Sequence, residues 1–335
     1  MTFKLKPKGI ILYSGGLDSL LAAKLLLDQG LDLIGLYFVL PFYSPEIDPQ
    51  TLLASQLAEQ IDLPLKYYFC GEEYLEMVKN PANGYGKNIN PCLDCKIFFL
   101  QGAVKKMEEE QADFIATGEV VGQRPMSQLK HSLNHITKET NLSGKLLRPL
   151  SAKLLKPTFL EKKGSIDREK LLDISGRSRK KQIMLAKQMG INNYSSPGGG
   201  CLFTDKNAAK IIKDLFQFHS NSNSLDLFLL GQGRNFRITE KAKIIIGRNE
   251  KENQELERYL GKSDYFFRPK FKGPSGFIKG EINDDNISLI AKLIFRYGNN
   301  FGRNGEIDLF KQGSFWKEVK VNKPLEDSDL DKMRI

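Results

Sequence analysis

The stretch KGIILYSGGLDSLLAAKLLLDQG, Lys8–Gly30, decides the fold class. Its opening, Lys8–Tyr13, is a short apolar run that reads as a strand buried on both faces. Leu17–Gln29 then sets Leu and Ala at helical spacing, with Gly30 as a stop signal. Between them lies SGGLDS, which is Ser14, Gly15, Gly16, Leu17, Asp18 and Ser19. Small residues let the backbone come within hydrogen-bonding distance of phosphate oxygens. The free N–H groups and positive dipole end of the following helix then face the anion. Ser14 and Ser19 add hydroxyl donors, and Asp18 suits orienting the loop or holding Mg²⁺. No Lys-Ser/Thr pair follows the glycines and the spacing is not GxGxxG, which sets aside the Walker and dinucleotide loops.

Outward from this stretch the alternation continues. Leu33–Leu40 reads as a second strand, Pro49–Ile61 as a helix and Leu65–Cys70 as a third strand. Asp94–Gln111 reads as a long amphipathic helix and Asp113–Thr117 as a fourth strand. Strands separated by helices of this length build βαβ units, a parallel sheet covered on both faces, with ligands beyond the carboxyl ends of the strands. Past Leu147 the pattern changes. Ile166–Met189 reads as basic and helical, and Tyr194–Cys201 as a turn-rich segment with three consecutive glycines. After Asn221 the chain reads as irregular and strand-like, including LDLFLLG and KAKIIIGRNE, followed by a helix over Ile287–Tyr297 and a charged tail after Leu325 expected to be disordered. The expected division is 1–160, 161–220 and 221–335: an α/β nucleotide domain, a basic helical linker with the GGGC segment, and a smaller α+β domain.

Composition narrows the function classes. The 41% hydrophobic and 27% charged content of this 335-residue chain is that of an ordinary globular protein. The amino-terminal apolar run is too short and too interrupted for a secretory signal, and no run is long enough for a membrane helix, so a cytoplasmic protein is expected. Net charge is +10, and it is concentrated. Lys145–Gly190 holds thirteen Lys/Arg against four Asp/Glu, a local excess of +9. An excess gathered in one stretch points to a polyanionic partner, with Arg177, Arg179, Lys180 and Lys181 as the backbone-contact candidates. The bland alternative is a basic helix facing solvent.

Four cysteines are too few for a disulfide scaffold. Cys92 and Cys95 stand at i and i+3 in NPCLDCK at a helix start, and Cys201 follows far along the chain in PGGGCLFT. Such thiols suit a metal or a redox pair. Structural zinc wants four ligands, and no fourth lies beside Cys201. His131, His135 and His219 read as ordinary surface or core positions, and Cys70, ending an apolar strand, as a buried core thiol. An iron–sulfur cluster with one open position, a persulfide or disulfide mechanism, and structural thiols or zinc all stay open from the residues alone.

SGGLDS resembles the loop of the PP-loop ATP pyrophosphatases. The resemblance implies an adenine nucleotide alpha hydrolase-like fold, cleavage of ATP between the α- and β-phosphates, and an adenylated intermediate. TGEVVGQRPMSQ, Thr117–Gln128, is similar to the TGE…GQ…SQ stretch of 4-thiouridine synthases, with one extra residue between GQ and SQ. That resemblance brings Gly118, Glu119, Gln123 and Arg124 toward the reacting centre. The CxxC with one distant cysteine resembles cluster-dependent thiouridine synthases, which implies a [4Fe–4S] cluster on Cys92, Cys95 and Cys201. The run from Leu147 to Gln182 resembles the linker of PP-loop thiouridylases. KAKIIIGRNEKENQELERYL and the later GPSG resemble the NFACT RNA-binding domain. The 4-thiouridine synthases normally carry an RNA-binding region ahead of the loop, so here RNA contact is expected from the linker and the C-terminal part.

Together these resemblances imply a tRNA sulfurtransferase that uses ATP and Mg²⁺. A uridine carbonyl oxygen would attack the α-phosphate, pyrophosphate would leave, and sulfur from a sulfide or persulfide carrier would displace AMP. Two rivals remain: a PP-loop enzyme acting on a small molecule, and a non-catalytic RNA-binding adaptor.

Overall fold

A computed structural model describes residues 6–194, 201–299 and 304–335. The chain forms two compact units, Met1–Asp205 and Lys206–Ile335.

The first unit is built on five strands, β1 Lys8–Leu12, β2 Asp32–Val39, β3 Leu65–Phe69, β4 Phe114–Thr117 and β5 Leu146–Leu147. They run parallel in the order β3-β2-β1-β4-β5. The expected α/β class is therefore the observed one. Its helices are α1 Leu17–Leu27, α2 Leu53–Glu59, α3 Glu72–Lys79, α4 Cys92–Glu109, α5 Lys130–Glu139, α6 Phe159–Lys162 and α7 Lys180–Gln188. Eight residues of α1 are buried, because one core packs around it: Leu20, Leu21 and Leu26 meet Ile11, Leu33 and Ala186 of α7 there. Helix α4 contributes Leu100, Ala103 and Met107 to a second core that holds Ile10, Leu36 and Ile115.

The chain leaves β1 toward β2 on one side and reaches β4 on the other. Leu12 pairs with Thr117 across that junction. A parallel sheet opens a crevice where the strand order reverses, beyond the carboxyl ends. SGGLDS and TGE both begin there.

The basic stretch departs from the expected continuous helix. Only Lys180–Gln188 is α-helical, preceded by a 3₁₀ turn at Arg168–Lys170 and an irregular run. Gly176, at φ +85°, interrupts it, and its N–H donates to the Val121 carbonyl while Ser175 bridges Val121. This stretch is thus fastened to the loop after β4.

The second unit carries the expected α+β architecture. Its strands are β6 Arg234–Thr239, β7 Ala242–Ile246, β8 Tyr265–Pro269, β9 Gly276–Gly280, β10 Gly305–Lys311 and β11 Ser314–Val321, in the order β11-β10-β8-β9-β7-β6. All neighbours are antiparallel. Helices α8 Lys206–Phe218, α9 Ser224–Leu229, α10 Glu250–Arg258, α11 Asp284–Arg296 and α12 Asp327–Met333 accompany the sheet, and Ile290, Leu293 and Ile294 of α11 fill its core.

Two expectations fail in this unit. LDLFLL is helical, because Asn223 and Asp226 form a reciprocal capping box that starts α9. The tail is ordered into α12, because Leu330 and Met333, three apart, both reach the core. Among the described residues no helix is long and apolar enough to cross a membrane.

Candidate active site

The loop after β1 turns on Gly15, at φ +70°, where a Cβ would lie 2.8 Å from the Ala54 backbone. Gly16 then caps α1, and among the described residues the helix start has no side-chain cap. Ser19 closes the turn, donating from Oγ to the Gly16 carbonyl at 2.8 Å and accepting from the Ser14 N–H at 3.3 Å. Uncapped N–H groups at a helix start are an anion cradle.

Gly118 lies against this cradle. A Cβ there would come within 2.6 Å of the Asp18 carbonyl and the Ser19 nitrogen. The contact presses the loop after β4 onto the first turn of α1. Beside it is a cavity of about 310 Å³ lined by Ser14, Gly16, Asp18, Ser19, Gly118 and Arg124, among others. Aromatic Tyr37, Phe38 and Phe99 form its apolar side. Three buried polar atoms on its wall have no partner among the described residues: Tyr13 Oη, Asp18 Oδ1 and Gln128 Oε1. Native interiors pair such atoms, so orphans on one cavity wall mark a place for a polar ligand.

Asp18 is held from its other oxygen. Gln123 Nε2 donates to Oδ2 at 2.7 Å and Arg179 Nη2 approaches it at 3.4 Å. Gln182 in turn donates to Gln123 Oε1 at 3.2 Å. The free Oδ1 fits a hard divalent cation, which takes carboxylate oxygens beside phosphates. Arg179, chosen from sequence as an RNA contact, is thus placed at the loop, whereas Arg177, Lys180 and Lys181 are exposed.

Glu119 is fully enclosed below the cavity. Arg148 Nε donates to Oε2 at 2.9 Å, the Thr117 hydroxyl donates at 3.1 Å, and Lys96 Nζ lies 3.9 Å from Oε1. Burial pushes this carboxyl up, but Arg148, Lys96 and Thr117 outweigh it and hold it below the usual carboxylate range. Glu119 therefore positions Lys96, which lines the cavity. Neither Lys96 nor Arg148 stood out in the sequence. The only available signal for Lys96 was its place directly after Cys95 on the helix.

The cysteines lie on the same side. Cys92 Sγ donates to Ser127 Oγ at 3.1 Å, which ties it to the loop after β4. Cys95 shares a 3.5 Å contact with the Tyr74 hydroxyl, and burial pushes its thiol up to about 12. The segment after Cys201 is fixed by Ile89 N–H to the Phe203 carbonyl and Asn88 Nδ2 to the Thr204 carbonyl. Burial also raises the Cys201 thiol, Cys92 adds to that rise, and the Phe203 backbone and Arg124 oppose it. Cys201 and Cys92 both act on Cys95. Arg124, whose charge opposes the rise at Cys201, lines the cavity. Thiolates are the donor type that soft metals and iron–sulfur clusters take. The thiols are not closed around a common centre: among the described residues no group of three or more Cys, His, Asp or Glu is disposed to hold a metal ion. The glycines of GGGC lie outside the described residues. Cys70 is buried, as expected of a core thiol.

Comparison with known proteins divides along the same two units. Residues 5–154 match the family described as thiamine biosynthesis protein (ThiI), and residues 233–334 match the NFACT protein RNA binding domain. The tRNA-specific 2-thiouridylase MnmA of Clostridium acetobutylicum is 33% identical over 127 residues, and that of Helicobacter hepaticus 32% identical over 115. These alignments cover 34% and 33% of this chain and 36% and 33% of the relatives, so the chain spans about a third of the length of the curated relatives it matches. A 4-thiouridine synthetase solved with RNA and bound ATP aligns with TM-score 0.40 and 22% identity, over 67% of this chain and 52% of that one. U34-tRNA thiolase NcsA from Methanococcus maripaludis, solved with its [4Fe-4S] cluster, aligns with TM-score 0.35 and 18% identity, over 67% and 71%. Residues 5–154 are thus similar to the ThiI family and residues 233–334 to the NFACT RNA-binding domain, each over less than half of the chain.

Proposed function

We propose that this chain is an ATP-dependent tRNA thiouridine synthase. The observation that carries the reading is the shared address of three features. An uncapped helix start and a cavity walled by orphaned polar atoms lie beyond the carboxyl ends of β1 and β4, and Cys92, on the helix that brings Lys96 to that cavity, bonds to Ser127 of the loop after β4. The 2-thiouridylases it resembles and the RNA-binding family of its second unit supply the substrate class.

In this reading the Ser14–Ser19 loop holds the pyrophosphate of ATP, and Asp18 Oδ1 is the ligand for Mg²⁺. Arg124 and Lys96 face the α-phosphate region with positive charge. The uridine carbonyl oxygen attacks the α-phosphorus, the bond to pyrophosphate breaks, and the base is left O-adenylated. Sulfide then attacks the carbon, and AMP departs with the oxygen. A persulfide donor would instead give a base–S–S–carrier adduct, whose S–S bond a second thiolate breaks, releasing the thiolated base and leaving a disulfide. Cys92, Cys95 and Cys201 would hold a [4Fe–4S] cluster, which supplies an open iron for sulfide when bound. A base within folded tRNA must be exposed to enter a cavity of this size.

Incubation with α-labelled ATP and unmodified tRNA should yield AMP and pyrophosphate, with turnover dependent on the RNA. ADP and phosphate as products would overturn adenylation, and RNA-independent AMP would turn the reading to a small-molecule substrate. Mass spectrometry of the tRNA nucleosides identifies the thiolated uridine.

Arg177, Lys180 and Lys181 remain the phosphate contacts proposed for the first unit. Neutralising all three should weaken tRNA binding and flatten the log–log salt dependence by up to about 0.9 per lost phosphate contact. An unchanged slope returns them to an ordinary solvated surface.

A further inference from the structure

The first unit holds another cavity, on the flank of the edge strand β5, which the proposed chemistry does not use. Its volume is about 360 Å³, enough for a small organic molecule. Leu146 and Leu147 of β5, with Leu155 and Pro157, give it apolar walls. The charged part of its lining is cationic: Lys138, Arg148 and Lys156 stand against one acid, Glu161. That acid is already occupied, since Oε2 accepts the Thr158 N–H at 2.7 Å and Oε1 pairs with Arg168. The side chains of Lys138 and Lys156 are exposed and have no acceptor or counter-charge among the described residues. Apolar walls with a few unmatched cations are the lining of a site for an organic anion.

Arg148 joins this cavity to the one beyond β1 and β4. Only 6% exposed, it donates from Nη1 to Oγ1 of Thr137, a residue of the same lining, at 3.2 Å. Its Nε donates to Glu119 Oε2 at 2.9 Å. Glu119 Oε1 has no hydrogen-bond partner among the described residues and lies 3.9 Å from Lys96 Nζ. An anion beside Arg148 offsets the guanidinium charge that neutralises Glu119, and little solvent intervenes to screen the effect. Glu119 then claims more of Lys96, which lines the nucleotide cavity. The charge of the anion itself also opposes ATP.

We propose that the cavity beside β5 binds a small organic anion, a carboxylate or phosphate monoester on a ring-sized apolar body, and that its occupancy weakens ATP binding. The weakening rests on the reading of the Ser14–Ser19 cavity as the ATP site; the anion site does not.

Calorimetric titration of the full chain with phenyl phosphate and with benzoate tests the site, the two arms separating the phosphate from the carboxylate class. At least one should bind, and the pair Lys138→Gln and Lys156→Gln should weaken it roughly tenfold, as loss of charge-assisted bonds does. Lys138→Arg with Lys156→Arg, which keeps both charges, should retain the affinity. Phenyl phosphate taken by the phosphate cradle survives the Gln pair and is subtracted. A saturating ring anion should weaken ATP binding about fivefold, and ATP should weaken the ring anion by the same factor. The Gln pair should keep its ATP affinity and lose both effects. Binding of neither compound, or binding untouched by the Gln pair, overturns the site. Binding without any change in ATP affinity overturns the coupling. Loss of tRNA affinity in the Gln pair, with neither compound bound by wild type, assigns the lysines to the RNA backbone and overturns the proposal. Failure of wild type to bind ATP removes the ATP reading and the coupling together, while the titration still decides the anion site.

Discussion

Gly118→Ala is expected to lower ATP turnover about a hundredfold while the chain stays folded and its RNA affinity is unchanged. The added methyl would sit 2.6 Å from the backbone of Asp18 and Ser19, where no flexible side chain can yield. One of the two loops must move. Helix α1 is buried along its length, and Glu119 is pinned by Arg148 and Thr117, so neither partner gives way freely. The displacement is therefore shared by the phosphate cradle. A shift on the order of 1 Å in a positioning element costs about a hundredfold in rate, whereas overpacking of this kind costs about 1–3 kcal/mol of stability. Turnover should collapse well before the fold does. The check is AMP release at saturating tRNA beside a thermal melt. Wild-type turnover in Gly118→Ala would mean that the two loops do not form one site.

Four strands of the parallel sheet were legible because β1, β2 and β4 are mostly apolar runs and the helices between strands show a longer period, whereas the two-residue β5 is too short to read. Ile10 and Ile11 of β1 face different cores, so both neighbouring positions are apolar. LDLFLL was not legible on the same signal. A short apolar run suits a buried strand and a buried helix equally, and Asn223–Asp226 decides between them only through capping geometry. The β10–β11 hairpin was missed because its outer strand is an exposed edge in which half of the residues are polar and no buried run shows. At the site, the types of Ser14, Asp18 and Gly118 carried their own chemistry. Arg179, Gln182 and Arg148 did not, since the meaning of each comes from a partner far away in the sequence: Asp18, Gln123 and Glu119. A basic run therefore read as one surface, although Arg179 turns inward at 3.4 Å from Asp18 while Lys180 and Lys181 remain outside.

Replacing Cys201 with Ala should separate the two half-reactions. In the proposed scheme AMP formation uses the Ser14–Ser19 cradle, Asp18 and Gly118, none of which bonds to a cysteine among the described residues, so it should persist within severalfold of wild type. Thiolated nucleoside should disappear. Cys92→Ala and Cys95→Ala should behave alike if, as proposed, the three thiols hold one cluster. Cys70 is the internal control. Its thiol is buried, and burial, with Glu73 and Cys95, pushes its pKa far up, so it stays protonated. Cys70→Ala should retain thiolation. A readout independent of activity comes from anaerobically purified protein, which should bind about four irons and show iron–sulfur absorbance, both lost in each of the three variants and kept in Cys70→Ala. Burial at Cys95 makes the free thiolate costly at neutral pH, so a soft metal is the natural way to draw the proton off, and loading should release protons. Full thiolation by iron-free protein would remove the cluster from the scheme. If iron-free protein still requires Cys201, that cysteine is assigned to a persulfide instead. Loss of AMP formation together with thiolation in all three variants would place the thiols in the architecture of the nucleotide site and not in sulfur transfer.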